Sequence, residues 1–231
     1  MKICLWFMLL FMNVSALRSQ DSTLVTIKTG NRIKDVLTTS EVFLYPQYVV
    51  GQVVFRDGTR ANAMMNYNSL FDQMLFIDPA GDTLALRDEK MIKLIAFQKD
   101  TFYYGEGYLR QAGGSANVRL TERRIWEMAD IQKVGSHNRP ARTFAVTSYK
   151  TITDGFGKTH DLILDEDIVL KKKTYYYLGD VYSHFVAANK KNLLLFFSNR
   201  QPQITSYLSQ NNVDFHKKDD LEKLIQFMEE K

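Results

Sequence analysis

The chain has 231 residues, 45% of them hydrophobic and 24% charged, which is ordinary for a core-forming protein and excludes long disorder. The formal charge is +4, but residues 1–19 hold Lys2 and Arg18 and no acid. Without them 28 basic residues face 26 acidic ones, a balance that gives no reason to expect a nucleic-acid partner.

The first segment has the layout of a secretory signal peptide. Lys2 supplies a positive start, residues 3–12 form an uncharged apolar run, and the chain then turns polar through Arg18, Ser19 and Gln20. The run is shorter than the roughly 18 apolar residues of a spanning helix. The expectation is a leader over residues 1–19, cleaved near Ser19/Gln20, and a single mature domain over 20–231 with no transmembrane segment. Cys4 is the only cysteine and lies too early to be a lipid-attachment site. The mature chain would then hold no disulfide, no thiolate metal site and no cysteine nucleophile.

Thr23-Leu24-Val25-Thr26-Ile27 is a β-prone run ended by Gly30-Asn31. Residues 41–45 form an apolar patch that Pro46 closes, because proline disfavours helix in the residue before it. Residues 51–97 read as a β-meander. Gly51-Gln52-Val53-Val54-Phe55 is followed by a turn with Asp57-Gly58 at its centre, a strong hairpin signal. On the return strand Ala61, Ala63, Met65 and Tyr67 alternate with Asn62, Met64, Asn66 and Asn68, the period of a half-buried strand. Residues 73–78, 83–86 and 91–97 are further strands, with turns at Pro79-Ala80-Gly81-Asp82 and Lys99-Asp100, and residues 101–105 add another. Turns at about ten-residue intervals favour antiparallel pairing over βαβ units.

Ala112-Gly113-Gly114-Ser115 is expected as a loop, and residues 123–131 as strand. Residues 136–141 read as loop, 143–153 and 161–178 as strands around the Asp154-Gly155-Phe156-Gly157 turn. Helical spacing takes over from about residue 182, in 182–197 and 202–208. The last helix carries Leu221, Leu224, Ile225 and Met228 on one face, with Asp219 expected as N-cap and Glu222 completing a capping box. The fold class is α+β: mainly an antiparallel β-meander or roll, or a partly open barrel, with a small C-terminal helical cap over about 182–231.

Catalytic patterns are weak. Gly157-Lys158-Thr159 lacks the upstream glycine of a phosphate loop, since position 152 is Ile152. His137, His160, His184 and His216 do not pair at metal-ligand spacing, and the acidic run Asp165-Glu166-Asp167 lacks the pattern of a calcium loop. Gly113-Gly114-Ser115-Ala116-Asn117 is missing the second glycine of a nucleophile elbow. No catalytic residue, cofactor or metal is assigned. Lys171-Lys172-Lys173-Thr174-Tyr175-Tyr176-Tyr177 has two readings: a surface for anionic glycans or headgroups, or a strand whose lysines blunt an exposed edge. The candidate binding surface is Lys172, Tyr175, Tyr176 and Tyr177 with Tyr103 and Tyr104; Phe102 and Tyr108 could join them in a cleft, where the C-terminal helices and residues 175–177 meet the 51–97 sheet.

The hairpin Gly51-Gln52-Val53-Val54-Phe55-Arg56-Asp57-Gly58-Thr59, the Asn66-Tyr67-Asn68 triplet and Met74-Leu75-Phe76-Ile77 combine with Tyr175-Tyr176-Tyr177, Lys190-Lys191-Asn192-Leu193-Leu194-Leu195-Phe196-Phe197 and the closing helix. In this combination the chain resembles a family of uncharacterised exported proteins of Bacteroidota. The resemblance implies a periplasmic or outer-membrane-associated setting in a Gram-negative cell and brings no catalytic residues with it. The functional expectation is a non-enzymatic exported protein that binds a cell-envelope protein or glycan. A hydrolase of envelope polymers using His160 and residues 165–167 is the alternative. A small-ligand carrier with a barrel cavity is the third.

Overall fold

The computed structural model describes residues 23–132 and 167–229. Within them the chain forms one antiparallel sheet: β1 (Leu24–Ile27), β2 (Val49–Phe55), β3 (Arg60–Asn68), β4 (Gln73–Ile77), β5 (Thr83–Ala85), β6 (Ile92–Phe97), β7 (Asp100–Tyr104), β8 (Tyr108–Gly114), β9 (Arg119–Gln132), β10 (Asp167–Gly179) and β11 (Phe185–Ala187). The spatial order is β1-β10-β9-β8-β7-β6-β2-β3-β4-β5, with β11 also on β10, and the sheet is not closed. Two short helices, α1 (Ile33–Val36) and α2 (Thr39–Val42), follow β1; α3 (Lys190–Phe196), α4 (Gln201–Gln210) and α5 (Lys218–Glu229) follow β11. The α+β class with an antiparallel sheet and late helices is as expected. The leader, the loop at 136–141, the strand at 143–153, the Asp154–Gly157 turn, His137, His160, Asp165 and Glu166 lie outside the described residues.

Local chemistry explains the meander. Between β2 and β3 the Asp57 carboxylate accepts from the Thr59 backbone N–H (2.9 Å) and hydroxyl (2.7 Å), while Gly58 takes a φ of +92° that a side chain would resist. A second turn joins β4 to β5, where Asp78 Oδ1 accepts from the Ala80 and Asp82 N–H groups. Along β3 the alternation is seen only through Ala63, Met64 and Met65: Ala61 is exposed, and Asn66 and Asn68 are buried instead of exposed. The Asn66 side chain bonds both backbone groups of Tyr45, and Asn68 Oδ1 accepts from Leu70 and Phe71 N–H. Both amides are thus scaffold: they tie the chain flanking α2 and the turn after β3 to the sheet.

Ser69 bends the sheet onto itself. Its N–H donates to the Val42 carbonyl (2.8 Å), and its own carbonyl accepts from Trp126 N–H on β9 (3.1 Å). The sheet therefore curls until the end of β3 meets the half of β9 that β8 does not cover, without completing a barrel. Three apolar clusters fill the fold. One lies under β2–β8, with Val53, Met65, Met74, Ile95 and Phe102 at its centre. Another packs Ile27, Ile33, Leu37 and Val42 on Trp126, Ile168 and Leu170. The last buries Leu221, Leu224, Ile225 and Met228 of α5 against Leu120 and Leu178.

Several expectations need correction. Ala112–Gly114 are not a loop: β8 runs to Gly114 through a bulge after Gln111, which absorbs the small residues within the ladder. The Lys99-Asp100 turn lies one residue earlier, at Gln98–Lys99, and Asp100 is a buried strand residue bonded by the Tyr45 hydroxyl. Residues 185–187, placed in a helical stretch, form β11 because β10 offers them an open edge at 177–179. Asp219 is inside the first turn of α5 rather than its cap; Asp220, in the same turn, accepts from the Asp214 N–H (2.9 Å). A reciprocal cap does occur at α2, where Glu41 Oε2 accepts from Thr38 N–H and hydroxyl, each at 2.7 Å.

Candidate functional site

The pairing register lays a row of side chains across four strands. Phe102 of β7 is opposite Arg110 of β8, Arg110 is opposite Glu122 of β9, and Glu122 is opposite Tyr176 of β10. Because side chains alternate faces, Arg124, two residues beyond Glu122, and Lys172, four before Tyr176, share this face. The curl at Ser69 folds the meander over the row and leaves a cavity of about 180 Å³. Among the described residues its walls are Phe102, Tyr108 and Tyr67 below, Glu122, Arg110, Arg124 and Lys172 along the strands, and Ser40, Phe43, Leu44 and Ser69 from the α2 side.

Its electrostatics are built around Glu122, whose side chain is only 2% exposed. Burying a carboxylate so completely requires charged partners. Arg110 Nε donates to Glu122 Oε1 at 2.9 Å with a second, shorter bond from Nη2, and Arg124 Nη2 donates to Oε2 at 3.2 Å. Arg110 also lies 3.6 Å from Asp100, which takes the Tyr45 hydroxyl proton donor. Burial, then that carboxylate, hold the Tyr45 phenol well above its usual range.

Lys172 is handled differently. It is half-buried, its Nζ lies 5.4 Å above the Trp126 ring, and it donates to the Glu41 carbonyl at 2.8 Å. No carboxylate lies within ion-pair distance of it among the described residues. Burial and then the neighbouring Arg124 push its ammonium pKa down. The Glu41 carboxylate offsets this only in part, so an ammonium with no ion pair among the described residues, beside a second cation, faces the cavity wall.

Behind the cavity Asp72 organises the support. Its Oδ1 accepts from the Tyr67 hydroxyl (2.7 Å) and Tyr108 N–H (3.3 Å), and its Oδ2 pairs with Arg123 through Nε (2.8 Å) and Nη2 (2.7 Å). Burial first, and the Asp72 charge second, raise the Tyr67 phenol far above its usual range. Tyr67 is thereby a fixed wall rather than a proton donor to an occupant.

The six residues singled out from sequence are distributed over both faces. Lys172 lines the cavity. Tyr176 shares its face but packs toward the α5 cluster. Tyr175 is on the opposite face, bonded to Glu127 (2.6 Å) beside the Lys173–Glu127 pair (2.8 Å). Tyr177 lies on that face too, toward Glu106 (3.5 Å). Tyr103 has Phe185 at 5.3 Å and the Arg119 guanidinium at 5.2 Å; Tyr104 leans on Tyr108 at 5.2 Å. Phe102 and Tyr108 do meet Lys172 at the cavity.

Two further expectations change here. β10 is not a free edge, since β9 pairs its whole length and β1 and β11 take its ends, leaving only residues 173–175 open on that side. The C-terminal helices do not meet the 51–97 sheet: their cluster holds no residue of it, and the meander approaches β10 at Lys172 instead. Arg110, Glu122, Arg124 and Ser69 escaped the sequence reading. The available signal was the charged run 122–124 in a fourteen-residue strand with neighbours on both sides, where charges need partners.

Other polar groups are structural. Asp167 is held below the usual carboxylate range by Lys28 and the Thr29 backbone, which pins β1 to β10. His184 pairs with Asp180 and His216 with Asp214 on exposed turns. Among the described residues no three metal-ligating side chains cluster, and no helix is long and apolar enough to cross a membrane. Comparison with protein-family models, curated proteins and solved structures finds no match.

Proposed function

We propose that the protein is an exported, periplasmic or outer-membrane-associated binding protein, and that the cavity between β9, β10 and the curled meander is where it holds its ligand. The observation that carries this reading is Lys172, a half-buried cation that bonds the Glu41 backbone carbonyl and forms no ion pair among the described residues, on the wall of a cavity whose one carboxylate, Glu122, is engaged by Arg110 and Arg124. General acid–base chemistry needs a group free to exchange a proton with the substrate. Here Glu122 is engaged by two arginines and the Tyr67 hydroxyl by Asp72, an arrangement suited to recognition rather than turnover. The exported setting rests on the leader over residues 1–19 and on the resemblance to Bacteroidota envelope proteins.

Affinity capture from cell-envelope extract, with mass spectrometry of the eluate, tests the reading. A stoichiometric envelope protein or glycan should be recovered. Recovery of none, together with turnover of an envelope polymer by the purified protein, would show the alternative hydrolase reading to be right.

A further inference from the structure

With the cavity as the binding site, the reading on which this inference rests, its polarity names the class of occupant. The inner walls are the rings of Phe102 and Tyr108, each no more than 2% exposed, with Phe43 and Leu44 beside them. The mouth lies at Ser40, which is exposed, and at Arg124, whose side chain is 51% exposed. The wall hydroxyls are already engaged. Ser69 Oγ donates to the Val42 carbonyl (2.8 Å), Ser40 Oγ lies 3.1 Å from the Thr38 hydroxyl, and the Tyr67 hydroxyl donates to Asp72 (2.7 Å). Burial, then the charges of Glu89 and Tyr104, raise the Tyr108 phenol; neither of those residues lines the cavity, so Tyr108 brings its ring to it. These walls accommodate an apolar group.

Charge does not select by its sum. Arg110, Arg124 and Lys172 are balanced by Glu122, Asp100 and the Glu41 carboxylate that acts on Lys172. Selection lies in which polar atoms are uncommitted. Both Glu122 oxygens are taken, Oε1 by Arg110 and Oε2 by Arg124. Lys172 gives one proton to the Glu41 carbonyl, and Arg124 one terminal nitrogen to Glu122. The remaining donors of these two side chains face the cavity, so its polar end calls for an oxygen acceptor.

Size completes the description. About 180 Å³ is slightly more than the roughly 150 Å³ of an apolar cavity that holds one benzene, so a single phenyl-sized group fits. Apolar rings inside and uncommitted donors at the wall match one residue of a polypeptide: the side chain enters, and the main chain stays outside with an oxygen on the donors. We propose that the cavity is a docking pocket for one large apolar side chain of an envelope protein, phenylalanine by size, with that residue's main-chain carbonyl or terminal carboxylate held by Lys172 and Arg124.

Isothermal titration of the purified full chain with N-acetylphenylalanine, its amide, N-acetylglycine and glucose tests this. The acid, the amide or both should bind, with N-acetylglycine and glucose weaker by about tenfold or more, the worth of burying the ring. Preference for the acid identifies a terminal carboxylate; equal or tighter binding of the amide identifies a carbonyl within a chain. Lys172→Gln and Arg124→Gln should each weaken the better ligand about tenfold, as loss of a charged hydrogen bond does. Lys173→Gln, on the opposite face and paired with Glu127, should leave it unchanged. Thermal melts establish that the variants fold. Glucose or N-acetylglycine binding as tightly as the phenylalanine compounds, the former pointing to a glycan, overturns the proposal. So does wild-type affinity in either cavity variant, or no saturable binding of either phenylalanine compound at millimolar concentration. A Ser40→Trp variant separates these failures from failure of the broader reading, because Ser40 is exposed at the cavity wall. If envelope capture is lost in Ser40→Trp while the phenylalanine compounds do not bind, the side-chain proposal falls and the cavity remains a binding site. If capture survives in Ser40→Trp, the cavity is not the site and both readings fall.

Discussion

Gly107 has a φ of +129°, and a methyl group built there would lie 2.2 Å from Asp72 Oδ2 and 2.5 Å from Arg123 Nε. Those two atoms are the ion pair that positions Tyr67 and Tyr108, so this glycine is required both by backbone geometry and by close approach. Gly107→Ala should therefore destabilise the protein by about 1–3 kcal/mol, the usual cost of a strained backbone position. A urea midpoint lowered without a change in slope would bear this out; an unchanged midpoint would mean the Asp72–Arg123 pair can move aside freely. Glu122 illustrates the same scale from the charged side. Its two arginines, Arg110 and Arg124, offset the cost of burying it.

At the scale of elements, α5 is the clearest case of sequence pattern becoming structure. Its four apolar residues are each no more than 2% exposed and rest on Leu120 and Leu178. Leu224→Ala should cost about 2–5 kcal/mol, lost transfer energy plus a cavity, as read from a calorimetric or chemical denaturation series. A cost below 1 kcal/mol would mean that the helix is only loosely docked. Much of the sheet was legible for the same reason: the Asp57-Gly58 hairpin, the inward Ala63, Met65 and Tyr67 of β3, and the strand through 123–131 all express local rules. β11 was not, because Phe185–Ala187 are strand only by virtue of the open ends of β10. The cavity was not either. Its walls draw on α2, β3, β7, β8, β9 and β10, and period-two patterning states that Glu122 and Arg124 share a face without stating what stands opposite. Only the curl at Ser69 decides that, and it depends on backbone hydrogen bonds to Val42 and Trp126, supported by the Ser69 hydroxyl and the Trp126 indole on the carbonyls at the end of α2, a long-range junction that no local pattern announces.

For the molecule as a whole, the titrating groups define a stability plateau. Glu41 is held below its ordinary value by its bonds with Thr38. Burial alone would raise Glu127, but bonds from Lys173 and Tyr175 outweigh it and leave it low; Asp167 is lowered by Lys28. For such groups the unfolded chain binds protons more readily, so their contribution is full above the ordinary carboxylate values and disappears as pH falls through and below them. The phenols act at the other end. Burial raises Tyr45, Tyr67 and Tyr108 above the ordinary value of 10.0, so their contribution is full below that pH and is lost as pH rises beyond it. Tm should be nearly flat between about pH 5 and 9 and fall on both sides. A Tm that climbs from pH 5 to 3, or that holds through pH 11, would contradict this balance.

The pinning of β1 to β10 also has a consequence for how the chain is made. Lys28 and Asp167 are 139 residues apart, and β1 finds its ladder only on β10. A polypeptide that emerges from the ribosome N-terminus first presents β1 long before β10, its ladder partner, has been made. Until then Ile27, which ends fully buried, stays in water, and the cluster joining α1, α2 and Trp126 lacks its last wall. The first of the described strands is thus among the last to be placed.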